Sequence, residues 1–228
     1  SAKLDKKSLP CKNCIEGSKN EVNKLSEILI DDLGVDKNNI SVYFSGNEGF
    51  HVYVYDSQFQ NLGSRERSEL ADYILFKGVI PETFGMKKFK PERSLFPDLS
   101  EKGWRGRFSK EVFKTKTKRP KVVTELISAG YSQFQKYLET LSNQIGVRID
   151  PNVTIDIHRI FRLPGSLNSK SGLTKLYCKN ISRFEPYSEA SLLSDEKVEV
   201  LAQCPVEFKL KNRKFGPYNN EVISVPTF

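Results

Sequence analysis

Two stretches hold the residues most able to do chemistry. Residues 149–172 read IDPNVTIDIHRIFRLPGSLNSKSG, and residues 44–54 read FSGNEGFHVYV. The first places a carboxylate, Asp150, ahead of a polar turn, then Arg162 and Lys170 on either side of Pro164. The second places Ser45, Gly46, Gly49 and His51 in a short turn between β-rich segments. A hard carboxylate oxygen suits Mg²⁺, while Arg offers a planar fork and Lys a point charge to polyphosphate. Closely spaced glycines let backbone N–H groups approach an anion. Together the stretches suggest a site for a metal-bound nucleoside triphosphate.

Each residue also has a plainer reading. Asp150 is a metal ligand or the N-cap of a helix. Asp156 is expected to cap a helix over 156–162, with His158 a structural histidine on it and Arg159 and Arg162 neighbours on one face. The Gly-x-x-Gly turn is an anion cradle or an ordinary hairpin turn. A phosphate-binding P-loop would need G-x-x-x-x-G-K-[ST], which the sequence lacks. A KH-type loop would join helices rather than strands.

The surrounding chain narrows the class. Its 228 residues, 38% hydrophobic and 11% aromatic, suit a folded protein with a sizeable core. No apolar run approaches the ~18 residues of a membrane span, and the first residues have no apolar core of a secretion signal. The net charge is +8, yet residues 87–121 alone carry +9. Phe89, Phe96, Trp104, Phe108 and Phe113 are interleaved with those cations. Such a segment either meets phosphates and stacks bases, or anchors its aromatics in the core while its cations are solvated.

Cys11 and Cys14 have the spacing of half a structural zinc site. A redox dithiol and ordinary thiols are the rivals; the redox form expects a helix starting on the motif, and none is expected there. Cys178 and Cys204 fall in β-like stretches and read as core cysteines.

These residues need elements to position them. A helix is expected from about Ser18 to Gly34, capped by Ser18 or Asn20, with an apolar stripe of Val22, Leu25, Ile28 and Leu29. Residues 40–45 and 50–56 read as a hairpin, and a helix capped by Ser64 runs to about Phe76. Residues 77–121 read as a loop excursion with short helical pieces. Residues 122–146 read as helices broken near Gly130, and 146–149 as a β-like stretch. Residues 173–179, 196–203 and 206–215 read as strands.

SGNEGFHVYV and DPNVTIDIHRIFRLPGSLNSKSGL together resemble the small, catalytic subunit of archaeal and eukaryotic DNA primases, with an archaeal member the nearer likeness. The family shows S-G-x-x-G-x-H in a hairpin, then D-x-x-V-[TS] followed by a basic helix, R-[LV]-P-x-S-L and a His-Gly-Lys-Ser/Thr-Gly-like turn. The resemblance covers nearly the whole chain. It implies an α+β primase fold, a mixed sheet with flanking helices and a small zinc knob. It implies one catalytic domain over 1–228 lacking its N-terminal part, with 1–19 the remnant of the knob and 77–121 a basic excursion. The implied chemistry is nucleotidyl transfer with Mg²⁺ or Mn²⁺, making short primers on a single-stranded DNA template from nucleoside triphosphates. By resemblance Asp150 is the third metal-binding aspartate. Ser45, His51, Arg162, Lys170 and Asn168 contact the nucleotide phosphates, and Cys11 and Cys14 hold part of a Zn²⁺ site. The implied partner is a large primase subunit, and the implied location is the cytoplasm near the nucleoid, with no membrane.

The chain departs from the pattern in places. The family's strand with Asp-x-Asp has no counterpart before Cys11, where Asp5 is the only aspartate. Asp31 and Asp32 fall in a predicted helix, where adjacent side chains diverge. The chain is therefore expected to be truncated before that strand and inactive by itself. Asn47 and Glu48 stand where relatives often carry Arg, and Asn168 where many carry His. The rival readings are another primase-polymerase of the same superfamily, or a primase-fold nucleic-acid-binding or assembly subunit without catalysis.

Overall fold

The computed structural model describes residues 11–192, 197–210 and 213–226. Asp5 lies outside them. Helix α1 (Lys12–Glu27) continues through a π-helical turn, Ile28–Asp32, and stops at Gly34, whose positive φ suits a helix end. It starts earlier than expected, because Cys11 rather than Ser18 or Asn20 caps it: the Cys11 sulfur accepts from the Cys14 N–H. β1 (Ile40–Phe44) and β2 (Phe50–Val54) form the expected hairpin, with Tyr43 opposite His51. A short α2 (Ser57–Gln60) leads to α3 (Ser64–Ile74), whose N-cap is Gly63 rather than Ser64.

The basic excursion is more ordered than expected. It contains α4 (Gly103–Phe113) and opens α5 (Arg119–Ala129). Gly130 separates α5 from α6 (Tyr131–Ile145), as predicted, because its φ of +85° leaves the helical region. Residues 146–149 form no strand. Their N–H groups go elsewhere: Val147 donates to the Ile74 carbonyl and Arg148 to Glu21 Oε2.

The helix predicted at 156–162 is absent. Helix α7 spans Pro151–Ile155 instead, with Asp150 as its N-cap and proline at the position that needs no N–H. Asp156 ends it in an extended conformation, and its carboxylate accepts from the His158 N–H, a turn that competes with helix continuation. The strand predicted at 173–179 shrinks to β3 (Leu176–Tyr177), because the N–H groups of Thr174 and Lys175 go to Ala190 and Ser166. The short α8 (Pro186–Glu189) follows. β4 (Lys197–Cys204) pairs antiparallel with β7 (Tyr218–Pro226), and β5 (Phe208–Leu210) with β6 (Arg213–Phe215), so the described part of the strand expected at 206–215 is two paired strands, with 211–212 outside the described residues.

The result is a mixed α and β architecture with small antiparallel sheets. The sheet that concerns function has the order β2-β1-β3. Alternation gives it two unlike faces. Val42, Phe44, Phe50 and Leu176 pack onto Ile15, Leu173, Cys178 and Phe184. The opposite face carries Tyr43, His51, Tyr53 and Tyr177. A separate core of Phe84, Met86, Phe96, Phe108, Phe113 and Phe134 holds α4, α5 and α6 together.

Candidate functional site

The Gly-x-x-Gly turn is closed by its own backbone and its serine. Ser45 N–H donates to the Gly49 carbonyl, and Ser45 Oγ accepts from the N–H groups of Asn47 (3.3 Å) and Gly49 (3.4 Å). Gly46 has φ +84°, and a Cβ there would lie 2.9 Å from the Leu173 carbonyl oxygen. Only glycine serves both the conformation and the close approach. Against it sits the turn at 168–174: the Ser171 hydroxyl donates to the Gly46 carbonyl and accepts from the Leu173 N–H. The two stretches are thereby joined. Ser171 carries that junction and was not singled out in the sequence.

Asn168 is buried, and its Oδ1 accepts from the N–H groups of Lys170 (2.9 Å) and Ser171 (3.4 Å). It therefore shapes the turn that presents the exposed Lys170, and only its Nδ2 is left to donate to anything else. Arg162 Nη1 donates to the Leu167 carbonyl at 2.9 Å, folding its side chain across the Pro164-Gly165 bend.

His51 is half-buried beside the rings of Tyr53 and Phe161. Its Nδ1 is buried and has no hydrogen-bond partner among the described residues. Desolvation, then the charges of Lys175, Arg162 and Arg159, push its pKa below the ordinary histidine value. The imidazole is consequently neutral at pH 7, in a setting where added positive charge is disfavoured and an anion is favoured. Lys175 was also not singled out, since one lysine in a β-like run carries no local signal; it is fully buried.

Asp150 realises its plainer reading: Oδ1 accepts from the Asn152 N–H and caps α7. Oδ2 lies 3.5 Å from Arg159 Nη2. Arg159 and Arg162 are not on a shared helical face, because that helix does not form. His158 is exposed rather than structural. Among the described residues no group of three or more His, Cys, Asp or Glu is placed to hold a metal. Asp150 alone, half engaged as a cap, does not make a divalent site. Asp31 and Asp32 add nothing to it: Asp32 accepts from the Tyr73 hydroxyl and the Gly103 N–H and pairs with Arg107. Burial lowers the Arg107 pKa to about 10. A 420 Å³ cavity beside that pair is lined by Lys24, Asp31, Lys110 and Gln144, away from the two motifs.

Cys11 and Cys14 sit on the cap and first turn of α1, so a helix does start on the motif, contrary to expectation. Hydrogen bonding from Cys14 lowers the Cys11 pKa and raises that of Cys14. No third ligand joins them among the described residues, and two thiols do not complete a tetrahedral site. Cys178 is a core cysteine as expected, its thiol pushed up to about 11 by burial, while Cys204 is partly exposed.

In the basic excursion the anchoring reading prevails for most aromatics. Phe96, Phe108 and Phe113 are buried, and Trp104 donates its indole N–H to the Tyr73 carbonyl, whereas Phe89 is 99% exposed. Three of its arginines turn inward. Arg119 donates to the Phe96 and Pro97 carbonyls, Arg105 to Glu101 and to the Thr83 and Leu95 carbonyls, and Arg107 pairs with Asp32. Its lysines are exposed. No helix among the described residues is long and apolar enough to cross a membrane.

Comparison with known proteins bears on this arrangement. The profile of the family described as DNA primase small subunit matches residues 2–179. The chain is 69% identical over 228 residues to the DNA primase small subunit PriS of Nitrosopumilus maritimus, covering 100% of this chain and 61% of that protein. It is 50% identical over 224 residues to PriS of Cenarchaeum symbiosum, covering 98% of this chain and 60% of that protein. PriS of Archaeoglobus fulgidus is 31% identical over 217 residues, covering 86% and 59%. The chain thus spans about three fifths of the length of these relatives.

Proposed function

The chain belongs to the family of archaeal-type DNA primase small subunits, and from that premise we propose that residues 45–51 and 162–175 bind the triphosphate of an incoming nucleotide during primer synthesis. One observation carries the reading: the two turns are locked together at Gly46 and Ser171, which gathers cations around a neutral His51. Among the described residues neither Arg162 nor Lys170 has a carboxylate ion-pair partner. Among the described residues Arg159 of this cluster faces a carboxylate, Asp150, while Arg162 and Lys170 face none, and cations left without one are what a polyphosphate neutralises. His51 offers the N–H of its neutral ring to a phosphate oxygen, Arg162 a guanidinium fork and Lys170 a mobile point charge. Ser45 closes the turn by accepting from the Asn47 and Gly49 N–H groups, and Asn168 holds Lys170 in position.

The whole protein's activity belongs to the proposal as well. The reaction is nucleotidyl transfer from nucleoside triphosphates on single-stranded DNA, with a large primase subunit as partner. Mg²⁺ or Mn²⁺ would neutralise charge on the phosphates when bound. Asp150 would supply one of its ligands, and the remaining carboxylates must come from other residues. Cys11 and Cys14 would supply two thiolates of a zinc knob. By this reading 1–228 is part of one catalytic domain, and the 228-residue chain alone makes no primers. Primer synthesis by that chain with Mn²⁺ would overturn the last point.

Nucleotide binding tests the site. Arg162→Ala and Lys170→Ala should each weaken ATP binding by about tenfold, the scale of one charge-assisted hydrogen bond. ATP affinity unchanged in both would favour a primase-fold assembly subunit without catalysis. The exposed lysines of the excursion predict single-stranded DNA binding that weakens from low to moderate salt; a flat salt response would remove that surface from the reading.

A further inference from the structure

Lys175 immediately precedes β3 and has no exposed surface. Its Nζ donates to the Tyr53 hydroxyl at 2.6 Å and to the Arg162 carbonyl at 2.8 Å. The same atom stands over the rings of Tyr53 (4.8 Å) and Tyr43 (5.5 Å). Among the described residues no carboxylate pairs with it. Burying a cation on neutral acceptors is costly, and an apolar side chain of similar volume would serve a purely structural position better. Ring faces and two oxygens offset that cost in part.

What the lysine holds is informative. Its backbone pairs with the bend and the residue after it, accepting from the Gly165 N–H and donating to the Ser166 carbonyl. Its side chain reaches the Arg162 carbonyl on the far side of Pro164. The bend is therefore tied down at three points by one residue. Tyr53, at the other end of the ammonium, lies two residues from His51 on the same strand face. The groups that act on His51 are the cations of Lys175, Arg162 and Arg159, with the rings of Tyr53 and Phe161 against it.

We propose that Lys175 is a positioning residue of the triphosphate site, tying the Arg162 backbone to Tyr53 so that the Arg162 side chain and His51 address the same anion. This rests on the reading of residues 45–51 and 162–175 as a triphosphate site. Lys175 contacts no phosphate. It acts through Arg162, and its buried charge adds to the positive field behind the anion.

The test uses the 228-residue chain and two readouts: ATP affinity by calorimetry, and the titration of His51 by NMR. His158, the only other histidine and an exposed one, is the internal reference. Lys175→Met keeps bulk and removes the ammonium. It should weaken ATP binding by about tenfold and move the His51 titration upward, with His158 unmoved. Lys175→Arg should keep the His51 titration low. A folded Lys175→Met that binds ATP as the parent does, with His51 unmoved, overturns the proposal. Should Lys175→Met not fold, Tyr53→Phe removes one acceptor and leaves the cation. It should weaken ATP binding by about threefold, and no change overturns the proposal. Failure of the underlying site reading looks different: Arg162→Ala and His51→Ala would then bind ATP unchanged. Weakening in Arg162→Ala without weakening in Lys175→Met removes only the role of Lys175.

Discussion

Two regions of this molecule are rich in cations and aromatics, and they use them in opposite ways. In the excursion over 87–121, Arg105 and Arg119 point into the fold onto carbonyls and Glu101, and Arg107 pairs with Asp32. Phe96, Phe108 and Phe113 of this segment help build the core of α4, α5 and α6. Around His51, the buried lysine meets neutral oxygens and rings, and Arg162 has a carbonyl but no acid. The first region carries +9 in a chain of net charge +8; the second carries the local demand for an anion. Positive charge identifies a binding site only where the fold has not already answered it with its own acceptors.

The largest effect that separates the regions is stability. Phe108→Ala, at a position with no exposed surface, should cost about 3–5 kcal/mol in chemical denaturation. Phe89→Ala, almost fully exposed, should stay within about 0.5 kcal/mol. Equal effects would mean that the excursion is not anchored as described. Next comes Gly46→Ala, which meets both a left-handed backbone and the Leu173 carbonyl; a loss of about 1–3 kcal/mol is expected, together with lost ATP binding. Stability and binding unchanged would separate the two turns.

Arginine replacement sharpens the contrast. Arg119→Ala leaves the Phe96 and Pro97 carbonyls without their donor and should cost about 1–3 kcal/mol of stability while ATP affinity holds. Arg162→Ala should show the reverse order of effects. The smallest effect is in pH. The folded-state pKa of His51 is depressed, so the unfolded chain binds more protons as pH falls through the unfolded value near 6.5. Its contribution to stability is complete above that value and declines below it, toward the folded pKa. His51→Gln should flatten that part of the stability profile between pH 7 and 5, as read from urea midpoints; an unaltered slope would place His51 in a more solvated setting.

Much of this was legible in the sequence because it is local. The β1–β2 hairpin follows from alternating apolar residues around a glycine turn, and the break at Gly130 from one residue's conformational freedom. The motif order pointed to the primase small-subunit family. The local signals misled where two local structures competed. Asp156 was read as opening a helix, but Asp150-Pro151 nucleates an earlier one, and Asp156 ends it. Cys11-Lys12-Asn13-Cys14 gives no local signal of a helix start, yet the Cys11 sulfur caps α1.

Residue types and spacings determined the hairpin, the helix breaks, the family and the two stretches that meet. Only the tertiary structure decided which cations remain for a ligand, that Ser171 locks the turns, and that Lys175 stands buried behind them. The physical reason is distance along the chain. Ser171 meets Gly46 across 125 residues and Lys175 meets Tyr53 across 122. Burial and partner at such separations are set by packing, which no local period or spacing encodes.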